Sequence, residues 1–155
     1  MKRSLFGLML VVCMVFSTTA FAAESAPTKA QLEAFVKEAA TYAKTQGKAK
    51  ALAEFSNTKG KFVRGELYIF AYDFNGKVLA HGAKPKLVGL NLRSLKDAKG
   101  VYVIQELMKV AQTGSGFLKY YWENPQTKKV MPKLGYVVKM DDNWWLGSGI
   151  YYEGK

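Results

Sequence analysis

The sequence predicts a single α+β domain in which a long N-terminal helix packs on a five-stranded antiparallel sheet. Three observations carry this. Apolar residues recur at helical spacing early in the chain, five runs rich in β-branched and aromatic residues follow, and the links between runs are short enough for antiparallel hairpins. With 155 residues, 49% hydrophobic and 23% charged, the chain has the content of one core and not two. Its 14% aromatic content argues against disorder.

The elements follow in chain order. Lys2 and Arg3 precede an apolar run from Leu5 to Phe16 and a small-residue stretch ending Ala20-Phe21-Ala22, which reads as a secretory signal peptide over residues 1–22. The apolar run is too short to span a bilayer comfortably, and no second one follows, so the expected mature chain, 23–155, is exported without a transmembrane segment. The only cysteine, Cys13, lies inside the leader, and Leu10-Val11-Val12 before it lacks the small residue of a lipoprotein signal. The mature chain therefore has no thiol and no disulfide. A periplasmic location fits a small exported protein of this kind.

Thr28-Lys29-Ala30-Gln31 forms a capping-box pattern, and Leu32, Phe35, Val36, Ala39, Ala40 and Ala43 follow at helical spacing. The helical pattern runs from Thr28 to Phe55, ended or kinked at Gly47, as two consecutive helices or one bent one. Glu66 to Tyr72 and Lys77 to His81 read as strands around Asn75-Gly76, a strong hairpin signal. A loop rich in Gly, Lys and Pro spans Gly82 to Gly100, and Val101 to Gln112 reads as a short helix closed by Gly114-Ser115-Gly116. Phe117 to Trp122, Val130 to Met140 and Trp144 to Tyr151 complete the sheet. The long helix covers one face, and the loop and short helix between His81 and Gly116 cover the other, where a pocket can form.

Composition narrows the chemistry. His81 is the only histidine, no mature cysteine remains, and no serine sits in a nucleophile elbow. There is no calcium loop, no His-Glu-x-x-His and no phosphate loop. These absences predict a protein that is not an enzyme and holds no metal or cofactor. Removing Lys2 and Arg3 leaves 21 basic against 12 acidic residues, a formal charge of +9. The bases are spread along the chain and only two are Arg, which fits a solvated surface better than nucleic-acid binding; weak attraction to an anionic membrane is a secondary reading.

On the third β-rich run, Phe117 to Trp122, alternation places Leu118, Tyr120 and Trp122 on one face and Phe117, Lys119 and Tyr121 on the wetter other. Tyr120 and Trp122 then point inward as amphipathic side chains able to donate into a cavity. Each candidate has a plain alternative. For Trp122 it is core packing, for His81 a structural hydrogen bond, and for Lys133 a solvated lysine.

The ordered motifs resemble the single Cache domain, type 2 branch, a PAS-like extracytoplasmic sensor domain. The resemblance rests on Phe70 through His81, Leu87-Val88-Gly89-Leu90-Asn91-Leu92, Leu95-Lys96-Asp97, Gly116-Phe117 with Tyr120 and Trp122, Asn124-Pro125, Pro132-Lys133, Tyr136, and Trp145-Leu146-Gly147-Ser148-Gly149-Ile150-Tyr151. It covers essentially the whole mature chain. The proline that commonly follows the histidine is Gly82 here, with Pro85 displaced. With no transmembrane helix after Tyr152 and no output domain, a freestanding exported form is expected. The resemblance implies a sensor of small molecules, often short carboxylates such as acetate, pyruvate, lactate or propionate, that works with an envelope sensor or transporter protein.

Phe70, His81, Tyr120, Trp122, Lys133 and Tyr136 are the expected ligand-binding residues. They supply one ammonium and several neutral donors without an acid, a set suited to a short carboxylate and not to a cation or a large apolar ligand. Lys133 is the expected charge partner. The alternative function is a protein-interaction module of the cell envelope that binds no ligand.

Overall fold

The structure is a computed structural model that describes residues 26–152. The signal-peptide region lies outside the described residues. Among these residues no helix is long and apolar enough to cross a membrane.

The capping box forms as the sequence implies: Gln31 N donates to Thr28 Oγ1 at 3.2 Å and Thr28 N donates to Gln31 Oε1 at 2.7 Å. Helix α1 spans Lys29–Gln46 and buries Leu32, Phe35, Val36, Ala39, Ala40 and Ala43. Gly47 stops it with φ 84°, a left-handed geometry that costs glycine little, and donates its N–H back to Ala43 O at 3.1 Å. Helix α2, Lys48–Phe55, follows directly, so the helical region is two helices.

The run read as one strand from Glu66 to Tyr72 is divided at Ile69. Strand β1 (Val63–Arg64) pairs with β2 (Leu67–Tyr68) in a separate hairpin, and β3 (Phe70–Asp73) enters the main sheet. Ile69 leaves the ladder because its N–H donates to Phe62 O and its C=O accepts from Gly82 N. Strand β4 (Val78–His81) returns antiparallel to β3. Helix α3 (Val103–Gln112) then crosses to β5 (Ser115–Glu123), β6 (Val130–Lys139) and β7 (Trp144–Tyr151). The sheet order is β4-β3-β7-β6-β5, every pair antiparallel. The last strand thus sits in the middle, against the first hairpin.

Alternation gives the sheet two apolar faces. One packs on α1 and α2 through Ala71, Tyr136, Leu146 and Trp144. The other, bearing Phe70, Tyr72, Tyr120, Val137 and Trp145, packs under α3 through Val103, Ile104 and Leu107. The loop before α3 is tied down at two points. Residues 89–92 run along the free edge of β4, with Val78 N donating to Leu90 O at 2.9 Å, and so cover that edge. Asp97 accepts from the backbone N–H groups of Lys99, Val101 and Tyr121 at 2.8 to 3.0 Å, joining the loop to β5.

Candidate functional site

The register of the sheet assembles the site on the α3 side. Phe70 lies opposite His81 on β4 and Gly147 on β7, while Lys133 on β6 lies between Tyr120 and Tyr151. Tyr68 reaches over from β2 and stacks on His81 with ring centroids 5.0 Å apart. Phe70, His81, Tyr120, Trp122 and Lys133 therefore line one cavity, together with Tyr68, Tyr72 and the α3 residues Val103, Ile104 and Leu107.

Tyr136 is not among them. It sits on the opposite face, in the core beneath α1, with its ring 4.5 Å from Phe117. The reason is parity: Lys133 and Tyr136 are three residues apart on one continuous strand, so their side chains leave opposite faces.

Glycines make the floor. A Cβ on Gly149 would run into Cε of Lys133, one on Gly135 would lie 2.8 Å from Tyr120 Cε1, and one on Gly147 would lie 2.9 Å from Phe70 Cε2. The three side chains that carry the site therefore lie flat on a sheet whose central strands have been stripped of theirs. Glycine in a strand interior weakens it, and here it is the close approach that requires it.

Lys133 is fully buried. Its Nζ donates to Tyr68 Oη at 2.9 Å and lies 4.2 Å from the Tyr68 ring centroid and 4.7 Å from that of Tyr151. Tyr151 Oη donates to Glu123 O at 2.9 Å, so its single hydrogen is used and Tyr68 is the donor in the 3.3 Å contact between the two hydroxyls. The result is a directed chain from Lys133 through Tyr68 and Tyr151 to the end of β5. Burial pushes the Lys133 ammonium down to about 7, with Glu66 opposing from a distance.

His81 is equally enclosed. Its Nδ1 accepts from Lys84 N at 3.0 Å, which leaves Nε2 as the protonated nitrogen of the neutral ring. Burial, then the charges of Lys133 and Lys84, push its pKa down to about 3. Burial also raises the Tyr68, Tyr72 and Tyr120 hydroxyls, so they stay neutral donors. No carboxylate lines the cavity, and among the described residues no three His, Asp or Glu gather as a metal donor set.

The cavity is small. It holds about 10 Å³ of free space, room for roughly one water and far below the ~300 Å³ of an open ligand site. Its cover is α3 and the half-buried Trp122. A wider groove of about 720 Å³ lies outside, between α1 and the β1–β2 hairpin. Its guanidinium, Arg64, is already held by Glu38 through two bonds of 3.0 and 2.7 Å.

The residues that sequence reasoning passed over had signals of their own. Tyr68 shares a parity with Phe70 and Tyr72, and Gly147, Gly149 and Tyr151 share one with Trp145; alternating small residues on an aromatic strand mark a face that something else approaches closely.

The sequence profile of the family described as Single Cache domain 2 matches residues 18–154. The chain is 36% identical over 87 residues, 56% of its length, to the sensor histidine kinase MctS of Rhizobium johnstonii, of which this covers 19%. It is 34% identical over 110 residues, 69% of its length, to the methyl-accepting chemotaxis protein CtpM of Pseudomonas aeruginosa, again covering 19%. The chain thus spans about a fifth of the length of these curated relatives. Among solved structures, a methyl-accepting chemotaxis protein from Vibrio parahaemolyticus superposes with a TM-score of 0.70 at 34% identity, over 79% of this chain and 87% of that one. A Cache chemosensory domain whose structure addresses carboxylic acid recognition superposes with a TM-score of 0.62 at 22% identity, over 79% and 86%. At that identity the second likeness speaks for the fold alone.

Proposed function

Because the chain belongs to the single Cache domain 2 family, related to the ligand-binding domains of chemoreceptors and histidine kinases, we propose that it is a periplasmic receptor for a short carboxylate. One observation carries the reading. Lys133 is a fully buried lysine in a cavity that offers it neutral donors and no acid. Burying an unpaired charge is costly, and a carboxylate supplies the missing partner. His81 Nε2–H and the tyrosine hydroxyls orient the second oxygen, and Phe70 and Trp122 bound the acyl group, which restricts the ligand to the size of acetate, propionate, pyruvate or lactate. In this reading the cavity binds and releases its ligand unchanged.

Binding needs the cover to move, since a cavity of about 10 Å³ is too small for any of these acids. The cost of displacing Trp122 or the first turn of α3 is then set against the gain of pairing Lys133, and that coupling makes occupancy a change of shape. An envelope sensor or transporter protein would read the change. A cleaved leader over residues 1–22 would carry the mature chain to the periplasm, and the exported protein should then have the intact mass of a chain starting at Ala23.

A second reading is favoured by the small volume of the cavity: an envelope interaction module that binds no small molecule. Calorimetric titration and thermal unfolding with acetate, propionate, pyruvate and lactate separate the two. A ligand that binds only the folded state raises its apparent stability by about 2.7 kcal/mol at a hundredfold excess over Kd. Unchanged unfolding with all four acids leaves the interaction module standing and removes the receptor.

A further inference from the structure

We infer that an acid bound at Lys133 arrives together with one proton, so that above neutrality the site takes up the equivalent of the undissociated acid and not the bare anion. This rests on the reading of the cavity as a carboxylate receptor. The geometry behind it is the isolation of the amine. Lys133 is 0% exposed, its stem lies against Gly149, and its Nζ is packed among the rings of Tyr68, Phe70 and Tyr151. Among the described residues no carboxylate comes within ion-pair distance of it. An ammonium so placed has lost its water and gained one hydroxyl in return, which favours the neutral amine.

The groups around Lys133 are unable to supply the proton themselves. From β2 and β7 it faces Tyr68 and Tyr151, and from β5 Tyr120, all phenols whose pKa burial drives upward. From β4 it faces His81, neutral down to about pH 3 because burial disfavours its charged form. From α3 come only Val103, Ile104 and Leu107. The charges nearby are occupied: Glu66 accepts the backbone N–H of Tyr151 at 3.0 Å, and Glu123 is paired with Lys84 at 2.8 Å. The proton must therefore come from solvent. The balance is one carboxylate, one proton and one amine giving one carboxylate–ammonium pair, with no bond made or broken but N–H.

Burial leaves the free amine half-protonated at about pH 7, and an adjacent carboxylate raises it again. Below that pH the site is already charged and its affinity for the anion is flat. Above it, affinity falls about tenfold per pH unit, which is the dependence of undissociated acid on pH at fixed anion. Above neutrality, occupancy follows the form of the acid that crosses membranes unaided.

The test is calorimetric titration of the mature protein with sodium propionate in two buffers of different ionisation enthalpy, phosphate and Tris at pH 8 and phosphate and imidazole at pH 6. At pH 8 the two observed enthalpies should differ by a large part of the difference between the buffers and at pH 6 by little of it, and affinity should drop about tenfold from pH 8 to 9. Equal enthalpies in the two buffers at pH 8, with propionate bound, overturn the proton coupling while leaving the receptor intact. No heat from any of the four acids at either pH overturns the receptor, and the coupling with it. A titration of the Lys133 13Cε resonance in the free protein reads the amine directly. A midpoint near 7 supports the inference, and one near 10 overturns it.

Discussion

Lys133→Met should sharply weaken acid binding and, at the same time, make the free protein more stable. The two effects have one origin. In the free protein the lysine is buried in a form that the unfolded chain does not hold at neutral pH, because burial has moved its pKa from 10.5 to about 7. Between these values the unfolded state binds more protons, so stability rises as pH climbs from 7 toward 10.5 and is at its lower level below 7. Methionine has a similar length and no charge to desolvate, and exchanging a buried ionisable group for a well-packed apolar one raises stability by about 1–4 kcal/mol. Tyr68 keeps its own donor bond to Tyr151, so the change leaves no hydrogen unpaired. The bound acid, however, loses its counter-charge, which costs about 2–5 kcal/mol of affinity. Lys119 is the control: it is exposed on β5, one residue from Tyr120 and on the opposite face, and Lys119→Met should alter neither quantity. Urea unfolding and calorimetry on the two variants check this. A Lys133→Met protein that still binds acid at the wild-type level removes Lys133 from the site.

A second large effect is expected on the acid side. His81 is the only histidine in the chain, and burial holds it neutral to about pH 3 against an ordinary value of 6.5. Over that interval the unfolded chain takes up a proton that the folded protein refuses. Stability therefore falls as pH drops, by about 1.4 kcal/mol per unit once below 6.5. From pH 6.5 to 4.5 the loss is about 2–3 kcal/mol. This window lies above the range in which Glu123 and Asp142, held low by Lys84 and Lys139, take protons. His81→Asn retains an acceptor for Lys84 N but does not titrate. The variant should start lower, because it leaves space under Tyr68, and its stability should be nearly level across the same window. Urea midpoints at pH 6.5, 5.5 and 4.5 decide it; parallel slopes for the two proteins would assign the acid sensitivity elsewhere.

Much of the candidate site was legible because strands carry their geometry in their spelling. Tyr120 and Trp122 fall on the α3 face by alternation alone, and the hairpin at Asn75-Gly76 puts Phe70 and His81 opposite one another. Tyr136 falls outside the cavity by the same rule: its odd spacing from Lys133 assigns the two residues to opposite faces. Tyr68 was hidden for a different reason. Periodicity runs unbroken from Glu66 to Tyr72, and only the pairing of Ile69 with Phe62 and Gly82 divides that run and lets β2 fold over the cavity.

The sequence by itself determined the α+β class, the capped and Gly47-broken helical region, the two-faced strands and the poverty of catalytic groups, since each depends on neighbours within a few residues. Tertiary structure decided the rest. Only the order β4-β3-β7-β6-β5 brings Gly147 and Gly149 from the last strand between Phe70 and Lys133. Pairing between residues some 75 apart leaves no periodic trace. The same is true of the charge on Lys133. A lysine after a proline reads as solvated, and what makes it a half-protonated amine is the layer of α3 laid over it, which excludes water and supplies no acid in its place.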